Sequence, residues 1–259
     1  MPAAAAAALL PTRSDFAHTN LGWHPATDAL LTRCLGDGTS LRAGLRLPDL
    51  AWILVDEGGI VASQSVDGQT LSQGLAWLTG ALSKAMGRDV PALTSFDHDM
   101  PEHPVEGGAA FDLSGLVDAE AEIAKWLANA QGLLERFVRE QSGASEVRLW
   151  PHHFDVASLI ALEEEDDADA QKSVNVGLSL GDSSHAQPYL YVSPWPYPDD
   201  RSDTPSLADG RWVDEEFFGA VLTGEALVAG EEGQAQRAQR FLARAADQAR
   251  RMLGERAPS

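Results

Sequence analysis

Ser173 to Pro194, SVNVGLSLGDSSHAQPYLYVSP, is two short alternating runs held apart by a cluster of turn formers. Val174, Val176, Leu178 and Leu180 fall on every second residue, the period of a strand whose side chains point to opposite faces in turn. Tyr189 and Tyr191 share one face of the second run, and Gly181 to Ser184 supplies the hairpin turn between them. Working outward, EVRLWP and HFDVASLIAL upstream also read as extended, and FFGAVLT downstream as a short strand or its approach. Residues 40–66 form a second such region, in which Leu41, Ala43, Leu45 and Leu47 alternate, LAWILVD is a covered strand, and Asp56-Glu57-Gly58-Gly59 turns the chain into IVASQSV. Strands in antiparallel runs, with helical segments between them, predict an α+β fold: two meander halves packed against several helices in a single compact unit.

Four segments carry a helical period. One is expected from about Pro25 to Leu35, with Pro25 in its first turn and Gly36 as its stop. Leu71, Leu75, Leu78 and Leu82 mark a second, with Thr70 and Gln73 spaced as a capping box and Gly87 ending it. Ile123, Trp126, Leu127, Ala130, Leu133, Leu134, Phe137 and Val138 make a continuous stripe on a third, over about 115–141. A last one runs over 234–253 through Phe241, Leu242, Ala245 and Ala249. Between them, residues 88–111 and the proline-rich WPYPDDRSDTPS read as irregular. EEEDDADAQ, Glu163 to Gln171, reads as a solvated hairpin loop, or less simply as a weak calcium site. The expected layout is a flexible alanine-rich tail over 1–17, an α+β domain over 18–230, and an arginine-rich helix over 231–259 docked on it.

Acidic residues outnumber basic ones 39 to 19 among 259 residues, for a net charge of -20. Such a surface repels nucleic acid and anionic membranes, so neither is an expected partner. No run approaches the ~20 apolar residues of a membrane span. Cys34 is the single cysteine, which excludes an intramolecular disulfide and fits a reducing compartment. MPAAAAAALLPT has no Lys or Arg before its short apolar run, unlike a secretory signal. The expected location is cytoplasmic.

Two catalytic signatures fail on context. Gly177-Leu178-Ser179-Leu180-Gly181 matches the nucleophile elbow G-x-S-x-G, but Ser179 sits within a strand pattern followed by another strand, where an elbow needs a helix. Gly181-Asp182-Ser183-Ser184 matches an esterase block that belongs near the start of a chain and wants a late Asp-x-x-His, which is missing. WPHHFD, Trp150 to Asp155, holds more chemistry. The inward apolar positions change from odd (Val147, Leu149) to even (Phe154, Val156) across Pro151, predicting a bulge or kink there. Along a strand after that kink, His153 points with Asp155 and His152 points the other way. His153 and Asp155 thus pair on one face, suited to engaging a ligand or a divalent metal.

Asp97, His98, Asp99 and His103 from the polar loop SFDHDMPEHP, with Asp182 and His185, are the expected partners of that pair. A metal set would be His98, His103, His153 and Asp155, of a type that suits zinc, manganese or iron. Trp150, Tyr189, Tyr191, Trp195, Tyr197 and Trp212 crowd the last third of the chain, and a surface of that kind stacks flat or sugar-like ligands or peptides.

The set LWPHHFDVA, GLSLGD, PYLYVSPWPYP and EFFGAVLT resembles a family of uncharacterised bacterial proteins, a domain of unknown function, over about Gly22 to Thr223. The resemblance implies one α+β unit and transfers no activity or cofactor. The residues themselves point first to a protein that binds a small molecule or peptide at His153, Asp155, Tyr189, Tyr191 and Trp195. A metal-dependent hydrolase using the His and Asp ligands, and a structural or assembly protein, are the alternatives.

Overall fold

The structure is a computed structural model, and it describes all residues except 37, 96–101, 164–170, 202–203, 215–216, 230–232 and 255–259. The elements run in the order α1 (Pro2–Leu9), β1 (Gly22–His24), β2 (Ala29–Leu31), β3 (Arg42–Arg46), β4 (Ala51–Asp56), β5 (Gly59–Ser65), α2 (Leu71–Met86) and α3 (Val117–Val138). They continue with β6 (Arg148–Trp150), β7 (Asp155–Ala161), β8 (Ser173–Ser179), β9 (Tyr189–Trp195), β10 (Arg211–Asp214), β11 (Phe218–Thr223), α4 (Gly224–Val228) and α5 (Gln234–Met252). The strands make two antiparallel sheets, ordered β1-β2-β3-β4-β5 and β10-β11-β9-β8-β7-β6. The fold is α+β, as the alternating runs require. No helix among the described residues is long and apolar enough to cross a membrane.

Contacts gather in two compact units, Met1–Ala128 with Leu149–His152 and Asn129–Arg148 with His153–Ser259. The two meander halves therefore fall in different units, and the division cuts the stretch 18–230 that the sequence joins. In the first unit, the Thr70–Gln73 capping box forms as spaced, and Gly87 ends α2 in the left-handed region at φ 64°. Leu78 and Leu82 of α2 pack with Ala43 and Leu54 of the sheet and with Leu41 just before β3.

Two expectations fail in this unit. Residues 25–35 are not helical: Pro25 opens a turn, Asp28 takes φ 46°, and β1 pairs with β2 from Gly22–Leu31 to His24–Ala29. Ala29, Leu30 and Leu31 are all buried, so both faces of this short strand are covered and no period of two is visible. The alanine-rich start is not a loose tail either. α1 is a helix with Ala3, Ala4, Ala5 and Ala6 buried, the last two in the cluster of Leu41, Leu54, Leu78 and Leu82. Alanine is the best helix former and its small side chain lets a helix approach a sheet closely, a role that hydropathy patterns do not display.

The second unit is built on the meander β7, β8, β9, β11, β10. β7 pairs with β8 from Asp155–Ser179 to Ala161–Ser173, β8 with β9 from Ser173–Trp195 to Ser179–Tyr189, and β9 with β11 from Val192–Ala220 to Tyr189–Thr223. One face of the sheet carries Val156, Ile160, Val174, Val176, Leu178, Leu190, Val192, Ala220 and Leu222, all buried. On that same face lies Trp212, whose indole N–H donates to Gln248 of α5 at 3.0 Å. α5 thus covers this face, burying Phe241, Leu242, Ala245 and Ala249. The arginine-rich helix packs on the sheet within the second unit, and Arg237 and Arg240 add contacts to Asp209 at 3.6 and 3.3 Å.

Candidate functional site

The other face of the β7–β11 sheet carries the unusual residues. The register sets Asp155, Ser179, Tyr189 and Thr223 in one row across β7, β8, β9 and β11, and Ala157, Gly177, Tyr191 and Val221 in the next row on the same side. Tyr191 is therefore two strands away from Asp155. It closes the distance by leaning across β8 above Gly177, where a Cβ would lie 2.5 Å from the phenol oxygen and 2.6 Å from Cζ. Only a residue without a side chain leaves room for that ring. Gly219 does the same for Phe217, whose Cε2 would stand 2.7 Å from an added Cβ.

The Tyr191 hydroxyl donates to Asp155 Oδ2, and the Tyr189 hydroxyl donates to Asp182 Oδ2. Three rings assemble beside these pairs. Tyr189 and Tyr191 centroids are 6.2 Å apart, Tyr191 and Phe217 6.2 Å, and Tyr189 and Phe217 6.4 Å with planes only 18° apart. Val213 and Val221 pack with them. The His185 ring lies 4.8 Å from that of Tyr189.

Electrostatically the two carboxyls differ. Asp155 is 6% exposed, and burial pushes its carboxyl above the usual range against the pull of the Tyr191 hydroxyl, a positive charge on His153 and its own backbone N–H. Its second oxygen, Oδ1, is buried with no hydrogen-bond partner. Asp182 is in a turn where its Oδ1 accepts the Ser184 and His185 amides at 2.9 Å each. Partial burial raises its carboxyl, but the Tyr189 hydroxyl and those two amides outweigh it and the net shift is downward. Both phenols are pushed up, first by burial and then by their carboxylate neighbours. Both ring nitrogens of His185 are also buried without a partner. A buried polar atom left unpaired costs about 1–3 kcal/mol, so native structures keep few of them.

Of the residues expected at the site, Asp155, Tyr189 and Tyr191 come together, with Asp182 and His185 beside them. His153 is exposed, and its positive charge acts on the Asp155 carboxyl. WPHHFD is not a kinked strand. β6 stops at Trp150, residues 151–154 turn, and β7 begins at Asp155, with Phe154 in the left-handed region at φ 53°. A four-residue turn changes the parity of the inward positions just as a bulge would, so alternation cannot tell them apart. The adjacent histidines belong to different units, and His152 packs edge-on against Trp150 at 6.1 Å.

Trp195 does not join the site. It lies six residues along β9 from Tyr189, roughly 20 Å at the rise of a strand, is 40% exposed, and meets Tyr197 edge-on at 5.6 Å. Tyr197 in turn packs on Phe218, and Phe218 stacks on Trp212, the residue that bonds to α5. Asp97, His98 and Asp99 lie outside the described residues, as does most of the acidic run Glu163–Gln171. His103 is exposed, its Nδ1 accepting the Val105 amide at 3.3 Å. Among the described residues no group of three or more His, Cys, Asp or Glu is placed to hold a metal ion.

Ser179 ends β8 and the chain continues through a turn into β9, without the helix a nucleophile elbow needs. Sequence reasoning overlooked Gly177 and Phe217. Gly177 had a signal, a glycine within an alternating strand, which marks the close approach of another group.

No protein-family model matches the chain, and neither a curated protein nor a solved structure matches it.

Proposed function

We propose that the protein binds a small molecule, or the side chain of a peptide, at the sheet face that carries Asp155, Tyr189 and Tyr191. The observation behind this reading is the carboxyl of Asp155: buried at the start of β7, one oxygen held by Tyr191 and the other without a partner. A group of that kind weakens a fold unless something else completes it, and a ligand that donates to Oδ1 would do so. Aromatic surface with a few convergent polar groups is the ordinary make-up of a ligand site.

Chemical-shift mapping of the 15N-labelled protein against a panel of small amines, amides and alcohols tests the reading. Perturbations centred on Asp155, Ser179, Tyr189 and Tyr191, and abolished by Asp155→Asn, are the expected result. Perturbations elsewhere, or hits indifferent to that substitution, would count against it.

A further inference from the structure

Resting on that reading, the geometry points to a ligand class: we propose that the site takes a primary ammonium group, R–NH3+. The argument is one of elimination among the groups that face the site. Both phenol hydroxyls are already spent as donors, Tyr191 on Asp155 and Tyr189 on Asp182. What they leave is Asp155 Oδ1, an acceptor, and beside Tyr189 the two ring nitrogens of His185, one acceptor and one donor in the neutral ring, all buried and unpaired. The Asp155 carboxyl is the charged group of this set, and it sets the sign of the ligand. An anionic ligand would meet two carboxyls, Asp155 and Asp182, both of which act on Tyr189, and in a chain of net charge -20 it would be repelled from a distance as well.

The three rings favour the same sign. Tyr189, Tyr191 and Phe217 stand pairwise 6.2–6.4 Å apart, and aromatic faces carry the negative end of a quadrupole that attracts cations. A phenol that donates its proton toward a carboxylate gains electron density, which strengthens that attraction for both tyrosines. A quaternary ammonium would satisfy rings and charge, yet it has no N–H for Oδ1. A primary ammonium has three donors. It supplies the missing hydrogen bond and a positive charge while its alkyl stem lies against the rings, and no covalent step is involved.

Three probes separate these requirements on the full chain: butylammonium, its neutral analogue 1-butanol, and tetramethylammonium, which keeps the charge and lacks the N–H. Binding is read by NMR titration at neutral pH. Butylammonium is expected to bind the wild-type protein about 10-fold or more tighter than 1-butanol, the scale of one charge-assisted hydrogen bond, and tighter than tetramethylammonium. Asp155→Asn should bring butylammonium and 1-butanol to parity. Tyr191→Phe, which leaves the carboxyl without its internal donor, should widen their difference, and it serves if the asparagine variant does not fold.

Equal binding of butylammonium and 1-butanol to the wild-type protein, or a preference that survives Asp155→Asn, overturns the ammonium assignment. Tetramethylammonium binding as tightly as butylammonium overturns the requirement for an N–H. A neutral compound that binds and is lost in Asp155→Asn would sink the ligand class and leave the site in place. If no compound binds in a way that depends on Asp155, site and class fall together.

Discussion

The two faces of the β7–β11 sheet are made by the same strands, residue by residue, and they follow opposite rules. On the side under α5 every inward position of β8 and β9 is aliphatic or proline, from Val174 to Leu178 and from Leu190 to Pro194, and the helix buries Phe241 and Leu242 at 1% and 0% exposure. On the other side β8 and β9 carry Ser173, Asn175, Gly177, Ser179, Tyr189, Tyr191, Ser193 and Trp195, with Asp155 of β7 next to Ser179, and a carboxyl oxygen and two imidazole nitrogens are buried and unpaired at the Asp155–Tyr189 end. The first face is what a sheet needs to be stable. The second accepts costs that stability alone does not explain, and departures of that kind gather where a protein does its work.

The largest effect should come from the stable face. Phe241→Ala removes a fully buried ring between α5 and the sheet, and the loss is expected to be about 3–5 kcal/mol, read as a shift in the midpoint of urea unfolding. If the value came out under 1 kcal/mol, α5 would be a docked accessory and the contrast between the faces would be void.

On the other face the corresponding lever is a glycine. Gly177→Ala drives a Cβ to 2.5 Å from the Tyr191 hydroxyl, and since the ring lies across the strand it must lift away from Asp155. Overpacking of this sort costs about 1–3 kcal/mol, and any binding that depends on Asp155 should be lost with it. A stable, fully binding Gly177→Ala protein would show that the position of the ring over β8 is incidental.

Much of this architecture could be seen in the sequence, and what could not has definite causes. α2 was legible because three signals agree on it: the period of its leucines, the Thr70–Gln73 box and Gly87. The same-face relation of Tyr189 and Tyr191 follows from a spacing of two. That Tyr191 reaches Asp155 does not, because it depends on the register of three strands, and register is set by pairings between segments that no local pattern reports. Phe154 in a left-handed conformation is likewise hidden, since aromatic residues seldom adopt it. β1 and β2 were lost because three covered residues in a row look the same in a helix or a strand.

Asp155→Asn separates function from stability more finely. With Asn in place of a carboxyl that burial holds above its usual range, stability should change by no more than about 1 kcal/mol at low pH. The sign of the pH dependence follows from linkage. A carboxyl whose folded pKa is raised binds its proton more tightly in the folded state, so its contribution falls as pH rises from the ordinary carboxyl range through the folded value. Relative to Asp155→Asn, the wild-type protein should therefore lose stability as pH rises through that window, measured as the difference between two urea-unfolding series. A difference that is flat or opposite in sign would mean that Asp155 is satisfied as a carboxylate, and the case for a missing partner would weaken.

Asp182 gives the smallest effect and the reverse slope. Its carboxyl is held below the usual range by the Tyr189 hydroxyl and by the amides of its own turn, so its contribution is in place above the unfolded value and is lost as pH falls through the folded one. The group is largely exposed, which screens the charge, and the expected cost of Asp182→Ala is about 0.5–1 kcal/mol near neutral pH, the scale of a lost cap. Two Asp–Tyr pairs side by side on one strand face would then titrate with opposite consequences for stability. Asp182, with its partners complete, behaves as structure; Asp155, with one oxygen unpaired, does not. If Asp182→Ala abolished ligand binding while costing no stability, that assignment would have to be exchanged, and the turn rather than the buried carboxyl would be the group that reads the ligand.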